Sequence, residues 1–192
     1  MPDYIPGTII PLTENVRARP YDLIDAMLVV SGGLTLSQVS DITGLNGSTI
    51  QNWVKRGWVE SPKQKRYGET SLCRIMIINM LRGAMRLEEI VRLMSFINGR
   101  VDDRSDDIIP DRELFTLLCA ILTDCAGPTS FDMSRIDSVI ERELAGFTPP
   151  DEGSAQKLKM ALSIMVFAYM GTLMKKRAED MLSKLEPENR AR

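Results

Sequence analysis

Ser48, Thr49, Gln51, Asn52, Lys55 and Arg56 crowd into one short stretch and share it with Ile50, Trp53 and Val54. On a helix, the apolar members of this set fall on one side and the polar members on the other. The polar types have a definite chemistry. Gln and Asn can pair with N6 and N7 of adenine, and Arg or Lys with O6 and N7 of guanine. Ser48 and Thr49, at the start of such a helix, suit a phosphate oxygen. A little further on, Lys63, Lys65, Arg66 and Tyr67 could hold phosphates or reach a neighbouring minor groove. These ten side chains are the candidate contacts to double-stranded DNA. Basic residues on one helix face are ordinarily just a solvated face, so the case rests on what surrounds them. Trp53 is expected in the core, because its i+3 relation to Ile50 turns it inward, and Trp58 is also expected to be core rather than a base-stacking group.

The elements that must position these residues can be read from punctuation and period. Leu36, Val39 and Ile42 predict a short helix from Thr35 or Leu36 to Thr43, with Gly44 suited to its left-handed end. Asn46 or Ser48 then caps a second helix to about Arg56, and Gly57 ends it. Two helices of about two turns joined at a glycine make a helix-turn-helix. Trp58-Val59 and Arg66-Tyr67 read as strands around a basic turn, giving a small β-hairpin wing. Upstream, residues 1–19 read as an extended arm with little structure, and Pro20 opens a helix that stops at Ser31-Gly32-Gly33. Downstream, helices are expected from Glu69 to about Arg82, Leu87 to Asn98, and Asp111 to Cys125. A further one starts at Asp132 or Ser134, and a long one runs from Ser154 to about Leu185. The run Asp102-Asp103-Arg104-Ser105-Asp106-Asp107 has no apolar period and reads as a solvated loop. The expected fold is mainly α, with a winged helix-turn-helix and a C-terminal helical domain. Its divisions are 1–34 arm and helix, 35–98 DNA-binding domain, 99–109 acidic linker, and 110–192 a dimerisation or effector domain.

Charge is distributed in keeping with this. The chain of 192 residues has a net charge of −2, yet residues 35–92 carry nine Lys/Arg against five Asp/Glu. A basic segment between acidic flanks supplies the local field that phosphate binding needs. With no His, Ser/His/Asp and Cys/His catalysis are excluded. Three Cys without His give neither a disulfide framework nor a persuasive zinc set; Cys119 and Cys125 are too far apart in sequence, and Cys73 sits on an apolar helix. The acidic run lacks the glycine and closing Glu of a calcium loop. No metal, no cofactor and no enzymatic activity are therefore expected. No basic leader precedes an apolar stretch, and Ala161–Leu173 reads as a buried helix, so a cytoplasmic chain without a membrane segment is expected.

The order of these pieces resembles the DNA-binding head of MerR-type regulators. Thr49-Ile50 matches a Thr-Ile pair in that family's pattern. Lys55-Arg56-Gly57-Trp58-Val59 matches the exit toward its wing. Tyr67-Gly68-Glu69 and Leu87-Glu88-Glu89-Ile90 match the closing Tyr and the start of the family's fourth helix. The resemblance covers about residues 35–97. It departs where Gln51-Asn52-Trp53 replaces an Arg-Tyr-Tyr stretch, and where an acidic linker and a further helical unit follow instead of one long dimerising helix. That layout is closer to small Firmicutes proteins of the DUF1836 family, which implies a transcription-related role. The resulting expectation is a dimeric, sequence-specific transcriptional regulator, open to a small-molecule effector of unknown kind. The alternative is a protein-interaction adaptor that keeps the winged shape without binding DNA.

Overall fold

The computed structural model describes residues 4–13, 20–125 and 133–184. Among these residues eight helices follow in order: α1 (Pro20–Ser31), α2 (Leu36–Thr43), α3 (Gly47–Lys55), α4 (Glu69–Leu81), α5 (Leu87–Asn98), α6 (Asp111–Cys125), α7 (Met133–Glu143) and α8 (Ser154–Ser183). The mainly α expectation holds, and the sequence boundaries lie within a residue or two of those observed. The proposed caps at Asp132 and the helix end at Leu185 fall outside the described residues.

The β-hairpin wing is a correction, because no strand occurs among the described residues. Its tip exists: Lys63 N–H donates to Arg66 O at 3.0 Å and Arg66 N–H to Lys63 O at 2.9 Å. The turn passes through Gln64 and Lys65, both left-handed at φ 49° and 60°. The pairing stops there. Pro62 has no N–H with which to extend a ladder. Tyr67 pairs instead with Leu34, accepting from Leu34 N–H at 2.9 Å and donating to Leu34 O at 2.7 Å. The returning segment is thus tied to the α1–α2 junction and not to Trp58-Val59.

Helix α4 is the centre of the molecule. Residues Ser71 to Ile78, Met80 and Leu81 are all buried, so the helix has no solvent face along most of its length. It packs against α2, α5, α6 and α8. Full burial of each Ile or Leu contributes about 1.5–3 kcal/mol, and one continuous apolar core joins α4 to Trp53 on one side and to Leu162 and Met165 on the other.

The arm is better organised than its composition suggests. Ile5 is wholly buried. Ile5 N–H donates to Ile10 O, and Ile9 N–H to Ile42 O at the end of α2, both at 2.9 Å. Asn79 of α4 donates from Nδ2 both to Gly7 O and to Thr43 O, each at 2.9 Å. One amide therefore clasps the arm and the end of α2 to the central helix.

The acidic segment after α5 is solvated over Asp102–Asp106 but anchored at both ends. Asn98, fully buried, donates to Ile109 O at 2.7 Å. Ile108 N–H bonds to Ile97 O at 3.1 Å. Arg74 of α4 and Asp111 of α6, 2% and 0% exposed, form an ion pair at 3.1 Å. Arg104 reaches the same Asp111 oxygen at 3.4 Å and Asp107 at 3.3 Å.

Asp107 Oδ1 is buried without a hydrogen-bond partner. Burial raises the Asp107 pKa, outweighing the attraction of Arg104 and Arg74, and neighbouring Asp111 adds to the rise. A carboxylate with a raised folded pKa binds its proton more tightly in the native state. Its contribution to stability is greatest below the unfolded pKa and is lost as pH rises through the folded value. Asp107→Asn is therefore expected to raise the urea midpoint at pH 7, with the gain shrinking as pH falls toward the ordinary carboxylate range. A gain independent of pH would contradict this account.

Candidate nucleic-acid interface

Helix α2 is held at both ends by its own sequence. Thr35 and Gln38 form a capping box: Gln38 N–H donates to Thr35 Oγ1, and Thr35 N–H to Gln38 Oε1 at 2.9 Å. Gly44 closes it in the left-handed conformation, φ 69°, with its N–H on Ser40 O. Leu45, buried, and Asn46 lead directly into α3. The result is a short helix, a tight turn and a second short helix, the order read from the sequence. Asn46 occupies the N-cap position of α3 without a side-chain bond to it.

The two sides of α3 separate cleanly. Ile50 and Trp53 are buried at 0% and 1% exposure, with Val54 half-buried beside them. Ser48, Gln51, Asn52, Lys55 and Arg56 are exposed, and Thr49 is half-buried. Trp53 is a pedestal of the core, as expected for its spacing from Ile50. The helix ends in a Schellman arrangement, with Gly57 at φ 72°: Gly57 N–H donates to Val54 O and Trp58 N–H to Trp53 O, both at 2.9 Å. That reversal brings Trp58 under the Arg56 guanidinium, 4.8 Å from the ring centroid. Arg56 also lies 3.7 Å from Glu88 at the start of α5. Its charge is thereby oriented while remaining half exposed.

The basic turn is less uniform than its composition implied. Lys63 and Lys65 are exposed, and Lys63 lies 3.3 Å from Glu60. Arg66 is exposed but donates from Nη1 to Gly33 O at 2.9 Å, so it fastens the turn to the end of α1. Lys63 and Arg66 line a cleft of about 310 Å³ together with Glu60, Ser61 and Glu69. Tyr67 is a correction to the predicted contact set. It is 3% exposed, its backbone is paired to Leu34, and burial raises its hydroxyl pKa. A side chain so enclosed supports the turn from beneath and does not present its hydroxyl to a phosphate.

Sequence reasoning passed over a second feature of this region. A cleft of about 710 Å³ opens beside the end of α3, walled by Val54, Val59 and Val91 and by the turn after α5, with Ser95 and Arg100 at its edge. No single motif marks it, because its walls come from three separate stretches of chain. The cysteines take no part in either site: Cys73 and Cys119 are buried, Cys125 is half-buried, and burial pushes the Cys73 thiol up to about 12.

Residues 25–116 match the family model described as Domain of unknown function (DUF1836). The match runs from within α1 into the second turn of α6, so it includes α2 and α3, the buried Arg74–Asp111 pair and the acidic segment between α5 and α6. No curated protein and no solved structure matches the chain.

Proposed function

We propose that this chain, with its DUF1836 domain, is a sequence-specific, dimeric DNA-binding regulator that reads the major groove with α3. The supporting observation is the division of α3 into a buried Ile50–Trp53 side and an exposed side carrying Gln51, Asn52, Lys55 and Arg56. In helix-turn-helix proteins the second helix enters the groove, and its N-terminal half meets base edges. Here Gln51 and Asn52, near the middle of α3, are the readers, and Ser48 at its start suits a phosphate. Lys55, Arg56, Lys63 and Lys65 serve as phosphate anchors. The turn at 63–66 replaces a wing as the second contact. The cleft beside Val54 and Gly57 adjoins the reading helix, so an effector bound there would act directly on the end of α3. A cytoplasmic location belongs to this reading.

The test is binding to a random-sequence duplex at about 50 and 200 mM salt, for the wild type and for a Lys55, Arg56, Lys63, Lys65 to Ala variant. Each lost phosphate contact flattens the salt slope by about 0.9, so the variant is expected to lose about 3.6 from it. Absence of wild-type binding at the lower salt would sink the DNA reading. Equal slopes for both proteins would sink the residue assignment. The adaptor reading has one observation in its favour: Arg56 and Lys63 each already have an acidic neighbour within the chain. It is the outcome to which the first failure would point.

A further inference from the structure

We infer that the cleft between the α4–α5 turn and α8 binds a small phosphate monoester through Arg82 and Arg86. The cleft encloses about 710 Å³, within the roughly 300–1,000 Å³ of small-molecule sites. Arg82, Met85, Arg86, Leu87 and Glu88 form one side of it, and Thr172 of α8 stands on the other. Gly83 lets the two sides approach: a Cβ there would lie 2.4 Å from Thr172 Cγ2.

The charge in this cleft is unspent. Arg82 and Arg86 are exposed, and neither takes part in an ion pair among the described residues. The cations beside the Val54 cleft and beneath the basic turn are already engaged. Arg100 makes two bonds to Asp102, at 3.0 and 2.8 Å. Lys63 faces Glu60, and Arg66 is tied to Gly33 O. The carboxylate on the wall, Glu88, lies 3.7 Å from Arg56, and Glu89 accepts the Arg86 N–H at 2.9 Å. Two guanidiniums therefore face the cleft with one carboxylate that has a cation of its own.

That arrangement selects the ligand. A phosphate monoester carries a charge of about −1.5 to −2 at pH 7, which two guanidiniums neutralise. Each guanidinium presents a planar fork that matches a pair of phosphate oxygens. Half-buried Met85 and Leu87 offer apolar surface to the organic part. A duplex suits the cleft less well, because exposed Glu88 and Glu89 repel a continuous row of phosphates. Glu88 also ties the cleft to α3, since the same carboxylate orients Arg56. An anion beside Glu88 drives it toward Arg56 and withdraws that charge from DNA. This consequence rests on the regulator reading; the binding site does not.

Calorimetric titration of the full chain with phenyl phosphate at about 50 mM salt tests the site. The wild type is expected to bind with a dissociation constant of about 1 mM or below. Arg82→Gln with Arg86→Gln is expected to weaken binding at least about tenfold. Arg92→Gln with Arg177→Gln removes the same charge elsewhere and is expected to leave binding unchanged. All four side chains are exposed, so both variants are expected to keep their helical circular dichroism. No heat from the wild type at about 10 mM ligand would overturn the proposal. So would wild-type affinity in the first variant, or an equal loss in both. The source of the phosphate is read from duplex binding by the first variant. A salt slope lowered by about 1.8, which is about 0.9 for each arginine, would assign both guanidiniums to the DNA backbone and overturn the small-molecule assignment. An unchanged slope supports it. A wild type that takes phenyl phosphate but binds no duplex keeps this site and loses only the regulator reading.

Discussion

Asp111→Asn is expected to destabilise the fold by about 3–5 kcal/mol, because it strands the Arg74 guanidinium inside the protein. Arg74 is 2% exposed and Asp111 0%. Removing the negative member leaves a buried charge that water cannot reach, and such a loss is a large part of the roughly 5–15 kcal/mol that separates folded from unfolded chains. The pair itself contributes much less than its removal costs, since burying both ions already required their desolvation. The double variant Arg74→Met with Asp111→Leu is therefore expected to recover most of the lost stability. Asn98 keeps its bond to Ile109 O in that background, and Arg104 keeps Asp107 and Glu60. A double-mutant cycle from urea midpoints gives the coupling directly. Additive single effects would show that the two side chains act independently, against this account.

Gly7→Ala is expected to release the arm. At φ 74° an L-residue is strained, and a Cβ there would stand 2.1 Å from the backbone oxygen of Met76. That oxygen belongs to the most buried helix in the molecule and cannot yield. Undocking exposes Ile5, whose burial is worth about 1.5–3 kcal/mol, and breaks the Asn79 and Ile9 hydrogen bonds, each worth about 1 kcal/mol net. The expected cost is about 3.5–5 kcal/mol. Gly32→Ala is the control: φ is 60° but a Cβ there meets nothing within 4 Å. It should cost only the conformational strain, about 1–2 kcal/mol. Hydrogen exchange at the Ile9 amide should lose protection in the first variant and keep it in the second. Equal stability and equal protection would refute the steric argument.

The helices were legible because their signals are local. Thr35 with Gln38, Gly44, Gly57 and the Ile50–Trp53 spacing each act within a turn or two of chain. What escaped was set by distant partners. The wing was read from Trp58-Val59 facing Arg66-Tyr67, yet Tyr67 finds its backbone partners at Leu34. Tyr67 looked like a surface group for the same reason, and the bond from exposed Arg66 to Gly33 was equally hidden, since neither Leu34 nor Gly33 could be known as a neighbour. Arg74 sits among apolar residues, and nothing in its own neighbourhood announces that Asp111 will meet it. The arm is polar and proline-rich by composition; one residue, Ile5, decides that it docks, and the surface receiving it lies on α4. The polar side of α3 was readable because it needs no partner within the chain.

The clasp at Asn79 imposes a timetable on biosynthesis. Gly7 and the amide that holds it are separated by 72 positions. At about 5–20 residues per second, a ribosome takes roughly 4–14 s to make that interval. For that time Gly7 lacks its partner on α4, while α2, which receives the Ile9 amide, and α3 already emerge behind it. The same amide also fixes Thr43, so the end of α2 is secured in the same event. Completion of α4 therefore closes both ends of the N-terminal half together, and a nascent chain stalled before Asn79 would carry its arm unlatched and open to proteases.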